Sequence, residues 1–299
     1  MDHVLAVGPS VMERARLRGC LLGTALGDAA GLPYEGMAPA RVVRMLGGRA
    51  PRWRRLVSDD TEQTVVIARA AARSREPARF ADEVIGGLDP ARFGDEVIGG
   101  LRRWFVALPP AIGWGTLRAC VKLVLGGRRG VASAGNAPAM RAAILGVIAE
   151  DEVQLAGLVE AATLPTHTDA RAIDAARIVA LAAQAPRSLD QLAGLCHTDA
   201  LGAAIAALAS RVGAPLAEVG RTWPRGPGAY CVETVPAALW AWASTSSPAE
   251  AIRAAIALGG DTDTVAAITG AIAGAHAPAA LPADGVARLG DSDIRDHTR

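Results

Sequence analysis

Apolar residues recur at helical spacing along most of the chain. Ala15, Leu17, Leu21, Leu22, Ala25 and Leu26 share one side of a helix that begins at Val11. Gly19, Gly23 and Gly27 give this helix a face on which a neighbour could pack closely. The helix gives out at Pro33, so Glu35 is placed in a loop. Residues 37–57 carry Arg49, Arg52, Arg54 and Arg55 without a period and are read as a surface loop. The pattern then predicts helices over about 61–74, 117–125, 142–149, 151–163, 168–184, 188–195 and 199–211. A core helix is expected after Pro236, within the apolar stretch Tyr230–Trp242, and a small-residue helix after Thr264. No run alternates as a half-buried strand would, and no composition shift marks a linker. The expectation is one all-α domain over residues 11–290, with 1–10 and 291–299 as loose tails.

One segment occurs twice. Ala78-Arg79-Phe80-Ala81-Asp82-Glu83-Val84-Ile85-Gly86-Gly87-Leu88 returns as residues 91–101 with ten of eleven positions identical, at an offset of 13. Thirteen residues turn a helix by roughly 220° net of whole turns, so both copies cannot share one buried face of a straight helix. The second copy runs directly into Trp104-Phe105 and is expected to hold the core position, after a break at Asp89-Pro90.

Composition narrows the class. Aromatic residues are only 4% of a chain that is 51% hydrophobic, so Ala, Leu, Val and Ile must fill the core. The net charge of +1 gives no nucleic-acid signal and no membrane-surface signal. The stretch Val265–Ala283, although poor in charge, contains His276 and two prolines and reads as a buried helix rather than a membrane span. The N-terminus, with Asp2 and Glu13, does not read as a signal peptide. Cys20, Cys120, Cys196 and Cys231 are scattered, which suits reduced thiols in a cytoplasmic protein and offers no zinc spacing.

The candidate chemistry lies in two acidic stretches, Ser58-Asp59-Asp60-Thr61-Glu62 and Gly259-Gly260-Asp261-Thr262-Asp263-Thr264, each running into an apolar helix. One reading is a pair of helix N-caps. The other is an oxygen-only site for hard divalent cations, since a cap needs one side-chain oxygen and each stretch offers at least three. Brought together by the fold, the two stretches could hold two ions about 3.5–4 Å apart. Gly135-Asn136 opens a helix after a Gly-rich loop, an arrangement suited to phosphate but common in ordinary turns. His167 lies in Thr166-His167-Thr168-Asp169, where a cap neighbour is the plainer reading; His-Thr-Asp-Ala recurs at 197–200.

Five segments together carry a resemblance: Arg18-Gly19-Cys20-Leu21-Leu22-Gly23 with Gly27-Asp28; Ser58–Glu62; Gly135-Asn136 with Ala139-Met140-Arg141; Thr166-His167-Thr168; and Gly260–Thr264. In this order, over residues 14–275, the chain resembles the ADP-ribosylglycohydrolases, among them the enzymes that remove ADP-ribose from dinitrogenase reductase. The resemblance implies a single-domain, orthogonal all-α bundle with two Mg²⁺ ions in a cleft, where Mn²⁺ could substitute. It implies Ser58, Asp59, Asp60, Asp261, Asp263 and Thr264 as metal ligands. Glu35, Asp59 and Asp60 become candidate acid–base groups, and Gly135, Asn136, Met140, His167 and Tyr230 the substrate-binding surface. The implied partner is an ADP-ribosylated protein or an ADP-ribosyl small molecule, and the product is ADP-ribose.

The match has departures. Ser58 stands where the family more often has Thr, and the hydroxyl survives. Relatives of the dinitrogenase-reductase enzyme carry Asp before a Gly-Asn-Thr element, whereas this chain has Ala111-Ile112-Gly113-Trp114-Gly115-Thr116, so that particular substrate is not implied. Two other classes compete: a non-catalytic ADP-ribose binder or structural protein on the same fold, and a metal-dependent phosphatase or nuclease. Two full acidic stretches speak against the first, and the Gly135-Asn136 and His167 matches against the second.

Overall fold

Ser10 opens the first helix with a capping box. Its hydroxyl accepts the Glu13 N–H at 3.1 Å, and the Glu13 carboxylate accepts the Ser10 N–H at 2.6 Å. The computed structural model describes residues 10–49, 51–74, 88–109 and 112–289. Among them are sixteen α-helices and no β-strand, only three isolated bridges. In order these are α1 (Val11–Gly31), α2 (Pro39–Leu46), α3 (Asp59–Ser74), α4 (Pro90–Val106), α5 (Trp114–Val124), α6 (Ala137–Met140), α7 (Ala143–Ile148) and α8 (Glu152–Thr163). There follow α9 (Ala170–Gln184), α10 (Leu189–Gly194), α11 (Asp199–Ala209), α12 (Leu216–Val219), α13 (Cys231–Ala243), α14 (Pro248–Ala257), α15 (Thr262–His276) and α16 (Ala283–Arg288).

The core is built on an antiparallel seam between α1 and α15. Gly19, Gly23, Gly27 and Gly31, one every four residues, face Gly274, Gly270, Ala266 and Thr262 in reverse order. A Cβ added to Gly23 would lie 2.0 Å from the Gly270 carbonyl oxygen, and one on Gly27 would lie 2.0 Å from that of Ala266. Only glycine lets the two backbones approach this closely, as the spacing had led us to expect for α1. The Arg16 guanidinium closes one end of the seam. It donates to the carbonyls of Ala183 (2.8 Å), Gln184 (2.7 Å) and Ala275 (3.3 Å), satisfying the C-terminal ends of α9 and α15.

Helices α3 and α4 form a second antiparallel pair. The Trp104 indole donates to Glu62 at 2.7 Å, Gly100 packs on Val66, and Arg73 pairs with Glu96 at 3.7 Å. The second copy of the duplicated segment supplies the buried Phe93, Val97, Ile98 and Leu101. The first copy lies outside the described residues except for Leu88, which is buried.

Two sequence-based expectations are corrected and one is extended. The basic stretch 37–57 is not all loop: α2 forms within it because Pro39 starts it, Val42 and Leu46 anchor one face in the core, and Gly47 ends it at φ 57°. Helix α13 begins at Cys231, ahead of Pro236, because burial of most of its residues outweighs the one backbone hydrogen bond that proline removes. The helix expected over 142–149 forms as α7, and a further short helix, α6, precedes it and starts directly from Asn136.

Candidate active site

The first acidic stretch reaches its place through a residue that the sequence motifs include but to which they assign no role. Asp28, on the glycine seam of α1, is completely buried. Its carboxylate accepts the Ser58 N–H at 2.9 Å, the Thr61 N–H at 3.1 Å and the Thr61 hydroxyl. An anion thus sits at the N-terminus of α3 and satisfies backbone donors the helix leaves open. Asp28 therefore shares the capping with Ser58, whose hydroxyl accepts the Asp60 N–H at 3.3 Å, and the side chains of Asp59 and Asp60 are free of it.

The second stretch arrives through a pair of left-handed glycines. Gly259 and Gly260 have φ of 71° and 72°. Gly260 exchanges hydrogen bonds with the Glu35 loop, from Gly36 N–H to its carbonyl at 2.8 Å and from its N–H to the Met37 carbonyl at 2.9 Å. A Cβ on Gly260 would come within 2.2 Å of the Pro227 carbonyl. This is the close backbone approach expected of the glycine pair. Asp261 occupies the N-cap position of α15 but makes no side-chain capping bond. The plain N-cap reading thus fails for this side chain, which instead accepts from Asn136 Nδ2 at 2.6 Å.

The two stretches meet. One carboxylate oxygen each from Asp28, Asp60 and Asp263 lie within 4.8 Å of one another, and all three residues are buried. The hydroxyls of Ser58 (3.1 Å) and Thr264 (3.3 Å) both turn to Asp60 Oδ2. The other oxygen of Asp60 and the Oδ1 of Asp263 are buried without a hydrogen-bond partner among the described residues. Burial, followed by the neighbouring carboxylates, pushes Asp60 well above the usual carboxylate range and Asp263 up to about 9. Burial likewise lifts Asp59 to about 7, with Asp28 and Asp261 adding to it. Orphaned anionic oxygens in an all-oxygen cluster fit a hard divalent cation, which would replace the missing donors and the missing positive charge.

A cleft of about 400 Å³ opens above this floor, lined by Glu35, Asp59, Asp60, Asn136, Met140, Asp261, Asp263 and Thr264. Glu35 is exposed at its mouth; partial desolvation and the charge of Asp261 raise its carboxyl. Arg225, Gly226, Pro227 and Gly228 form the opposite wall, together with Gly113 and Thr116. Ser58 lies just beneath, behind Asp60. Gly135 and His167 sit together beside Asn136: a Cβ on Gly135 would be 3.0 Å from His167 Nε2. His167 is buried, and its burial, with Arg141 nearby, holds it neutral at a pKa of about 3. Tyr230 does not line the cleft. It is half exposed to one side, bridged to Gly135, with its hydroxyl 3.0 Å from Arg171.

Sequence reasoning missed Asp28 and Arg141 as site residues. Arg141 is completely buried and donates to Gln63, to the Ala162 carbonyl (3.0 Å) and to Thr166 (2.6 Å). Both had a signal, a lone charge in an otherwise apolar run.

Known proteins are similar to this chain over most of its length. An uncharacterized protein of Archaeoglobus fulgidus is 28% identical over 287 aligned positions covering 87% of each chain. A solved ADP-ribosylglycohydrolase-related protein complex superposes with a TM-score of 0.70 at 26% identity, covering 96% of this chain and 95% of its own. The sequence model of the ADP-ribosylglycohydrolases matches residues 9–299, and the chain, with its all-α fold and buried acidic cluster, belongs to that family.

Proposed function

We propose that the protein is a Mg²⁺-dependent hydrolase that cleaves the bond between C1 of the distal ribose of ADP-ribose and an acceptor, releasing ADP-ribose. The observation that carries this reading is the pair of orphaned oxygens, Asp60 Oδ1 and Asp263 Oδ1, at the floor of an open cleft. Asp28 joins Ser58, Asp59, Asp60, Asp261, Asp263 and Thr264 as the set that would hold two Mg²⁺ ions, or Mn²⁺ in their place. Bound there, the cations would supply Lewis acidity and a template for the ribose hydroxyls and the attacking water.

The chain's own groups do the rest. Asn136, fixed between Asp261 and Thr234, presents the start of α6 to the diphosphate, with Gly135 and Met140 beside it. His167 contacts a ribose, and Tyr230 stands at the outer edge where a base could stack. Water oxygen bonds to C1 as oxocarbenium character develops, the C1–acceptor bond breaks toward the acceptor, and the acceptor leaves with a proton. Glu35 at the mouth, and Asp59 or Asp60 on the floor, are placed to take or give that proton. Four free cysteines, three of them buried, support a reducing, cytoplasmic setting. Among the described residues no helix is long and apolar enough to cross a membrane.

The test is release of free ADP-ribose from ADP-ribosyl-arginine protein, ADP-ribosyl-serine peptide and O-acetyl-ADP-ribose, with Mg²⁺ and with EDTA. Mg²⁺-dependent release from one substrate, lost by at least 10²-fold in Asp263→Asn, is expected and names the acceptor. Tight ADP-ribose binding without release from any substrate would instead mark a binding protein on this fold.

A further inference from the structure

We propose that Arg141 is a positioning residue that couples the two halves of the site, orienting Asp59 through Gln63 and fixing His167, through Thr166, as the neutral tautomer with its hydrogen on Nε2. The proposal rests on the reading above only for what each half binds.

Hydrogen-bond logic along the chain of contacts fixes each orientation. Arg141 can only donate. Its Nη1 donates to Gln63 Oε1, so the other end of that amide is the NH₂ group, and Gln63 Nε2 donates to Asp59 Oδ2 at 3.0 Å. Gln63 is thereby held between a cation and an anion, each demanding the same amide orientation. On the other side, Arg141 Nη2 donates to Thr166 Oγ1 at 2.6 Å, making that hydroxyl an acceptor with one hydrogen left to give. Two acceptors are in reach. The Thr163 carbonyl is 3.3 Å away and already receives the N–H groups of Thr166 (3.0 Å) and His167 (2.9 Å). His167 Nδ1 is 3.0 Å away and has no other partner among the hydrogen bonds found. The hydroxyl therefore gives its hydrogen to Nδ1, and the ring hydrogen resides on Nε2.

That Nε2–H faces Gly115, Gly135 and the Ser133 hydroxyl, which would stand 2.7 Å from a Cβ on Gly115. A Cβ on Gly135 would stand 3.0 Å from Nε2, and one on Gly115 would stand 3.1 Å from it. On the reading above, this donor is the one a ribose oxygen would meet. Burial first, then the Arg141 charge, lower the basicity of His167, with Asp169 opposing, so the ring carries no positive charge of its own. One buried guanidinium thus serves a carboxylate on the metal side and a neutral donor on the ligand side.

The experiment uses full-length protein, with long-range ¹H–¹⁵N spectra of labelled histidine and titration with Mn²⁺ alone. The His167 signals are assigned by their loss in His167→Gln. Wild type should show a protonated Nε2 and an unprotonated Nδ1. Thr166→Val should shift the ring toward the Nδ1–H form while Mn²⁺ affinity stays within about twofold. Gln63→Leu should weaken Mn²⁺ binding about tenfold and leave the tautomer in place. Arg141→Met should do both. If it fails to fold, Arg141→Lys, which keeps the charge but cannot span the same three acceptors, should do both to a lesser degree. A wild-type ring protonated on Nδ1, an unchanged tautomer in Thr166→Val, or an Arg141 variant that alters one end alone would overturn the proposal. No Mn²⁺ binding by wild type would remove the metal reading and the Asp59 arm with it, and would leave the tautomer arm standing.

Discussion

Asp263 is poised against its own surroundings. Burial above all, then the charges of Asp261 and Glu35, lift its carboxyl to about 9, and its Oδ1 has no donor among the described residues. Asn in its place has nearly the same shape and carries no charge. Asp263→Asn should therefore stabilise the metal-free protein, by about 1–2 kcal/mol, while removing turnover, the usual trade at a site built for a charged ligand. Thermal melts in EDTA and in Mg²⁺ check this: the variant should melt higher than wild type in EDTA and gain nothing from Mg²⁺. A lower melting temperature in EDTA would mean that Asp263 contributes to the fold rather than straining it. Most of the proposed metal set could be read from sequence because its residues are clustered, and two neighbouring carboxylates beside a hydroxyl stand out. Asp28 could not be read this way. It sits alone in a helix of small apolar residues, and its function depends on donors thirty residues away, at Ser58 and Thr61. Arg141 was hidden for the same reason: its three acceptors come from α3, α8 and the loop before His167.

At the level of helices, the glycine seam does more than fill space, because it sets the distance between Asp28 on α1 and Asp263 on α15. Gly23→Ala would drive a methyl group into the Gly270 carbonyl, and backbone cannot move aside as a side chain can. The expected cost is about 3 kcal/mol, with Mn²⁺ affinity falling alongside, measured by denaturant melts and metal titration on the folded fraction. Gly99→Ala, whose Cβ would meet only the flexible Arg103 side chain, is the control and should raise stability by up to about 1 kcal/mol, as alanine does within a helix, and leave Mn²⁺ affinity unchanged. The duplicated segment allows a second test. Since residues 91–101 hold the core position in α4, deleting 78–90 leaves Pro77 to start the helix as Pro90 does now, at the loss of the Asp89 cap, about 1 kcal/mol, and of the buried Leu88, about 2–3 kcal/mol. The deleted protein should be soluble and active; an insoluble product would show that the first copy is required. Spacing had placed the long helices well, because a 3.6-residue period is a local property. It missed α2 and the start of α13, where a few contacts with the core, at Val42 and Leu46 and along both sides of Pro236, override what local sequence favours.

For the whole molecule, the acidic cluster should govern how stability responds to pH. Asp59, raised to about 7, and Asp263, raised to about 9, hold protons in the folded state that the unfolded chain releases near pH 4, and Asp28 and Asp60 are raised as well. A group whose folded pKa is raised contributes stability that is complete below the unfolded pKa and is lost as pH rises through the folded one. Two other sets bound the useful window. His167 and His276 have lowered pKa values, so their effect runs the other way, but only below about pH 6.5. The four cysteines are pushed up to between about 11 and 12 and add their own loss of stability only above about pH 8.5. Between about pH 6.5 and 8.5 the carboxylates act alone, on a molecule whose formal net charge of +1 adds little general repulsion. Metal-free protein should therefore melt at progressively lower temperature across this range. Mg²⁺ competes with the same protons, so its stabilisation should grow with pH. At a hundred times its dissociation constant the cation adds about 2.7 kcal/mol, on the order of 5 °C for a chain of this size. Melts in EDTA and in saturating Mg²⁺, taken at half-unit steps, should diverge toward high pH, and Asp263→Asn should flatten both curves. Parallel curves would mean that the cation binds without displacing protons, and so not at Asp59, Asp60 and Asp263.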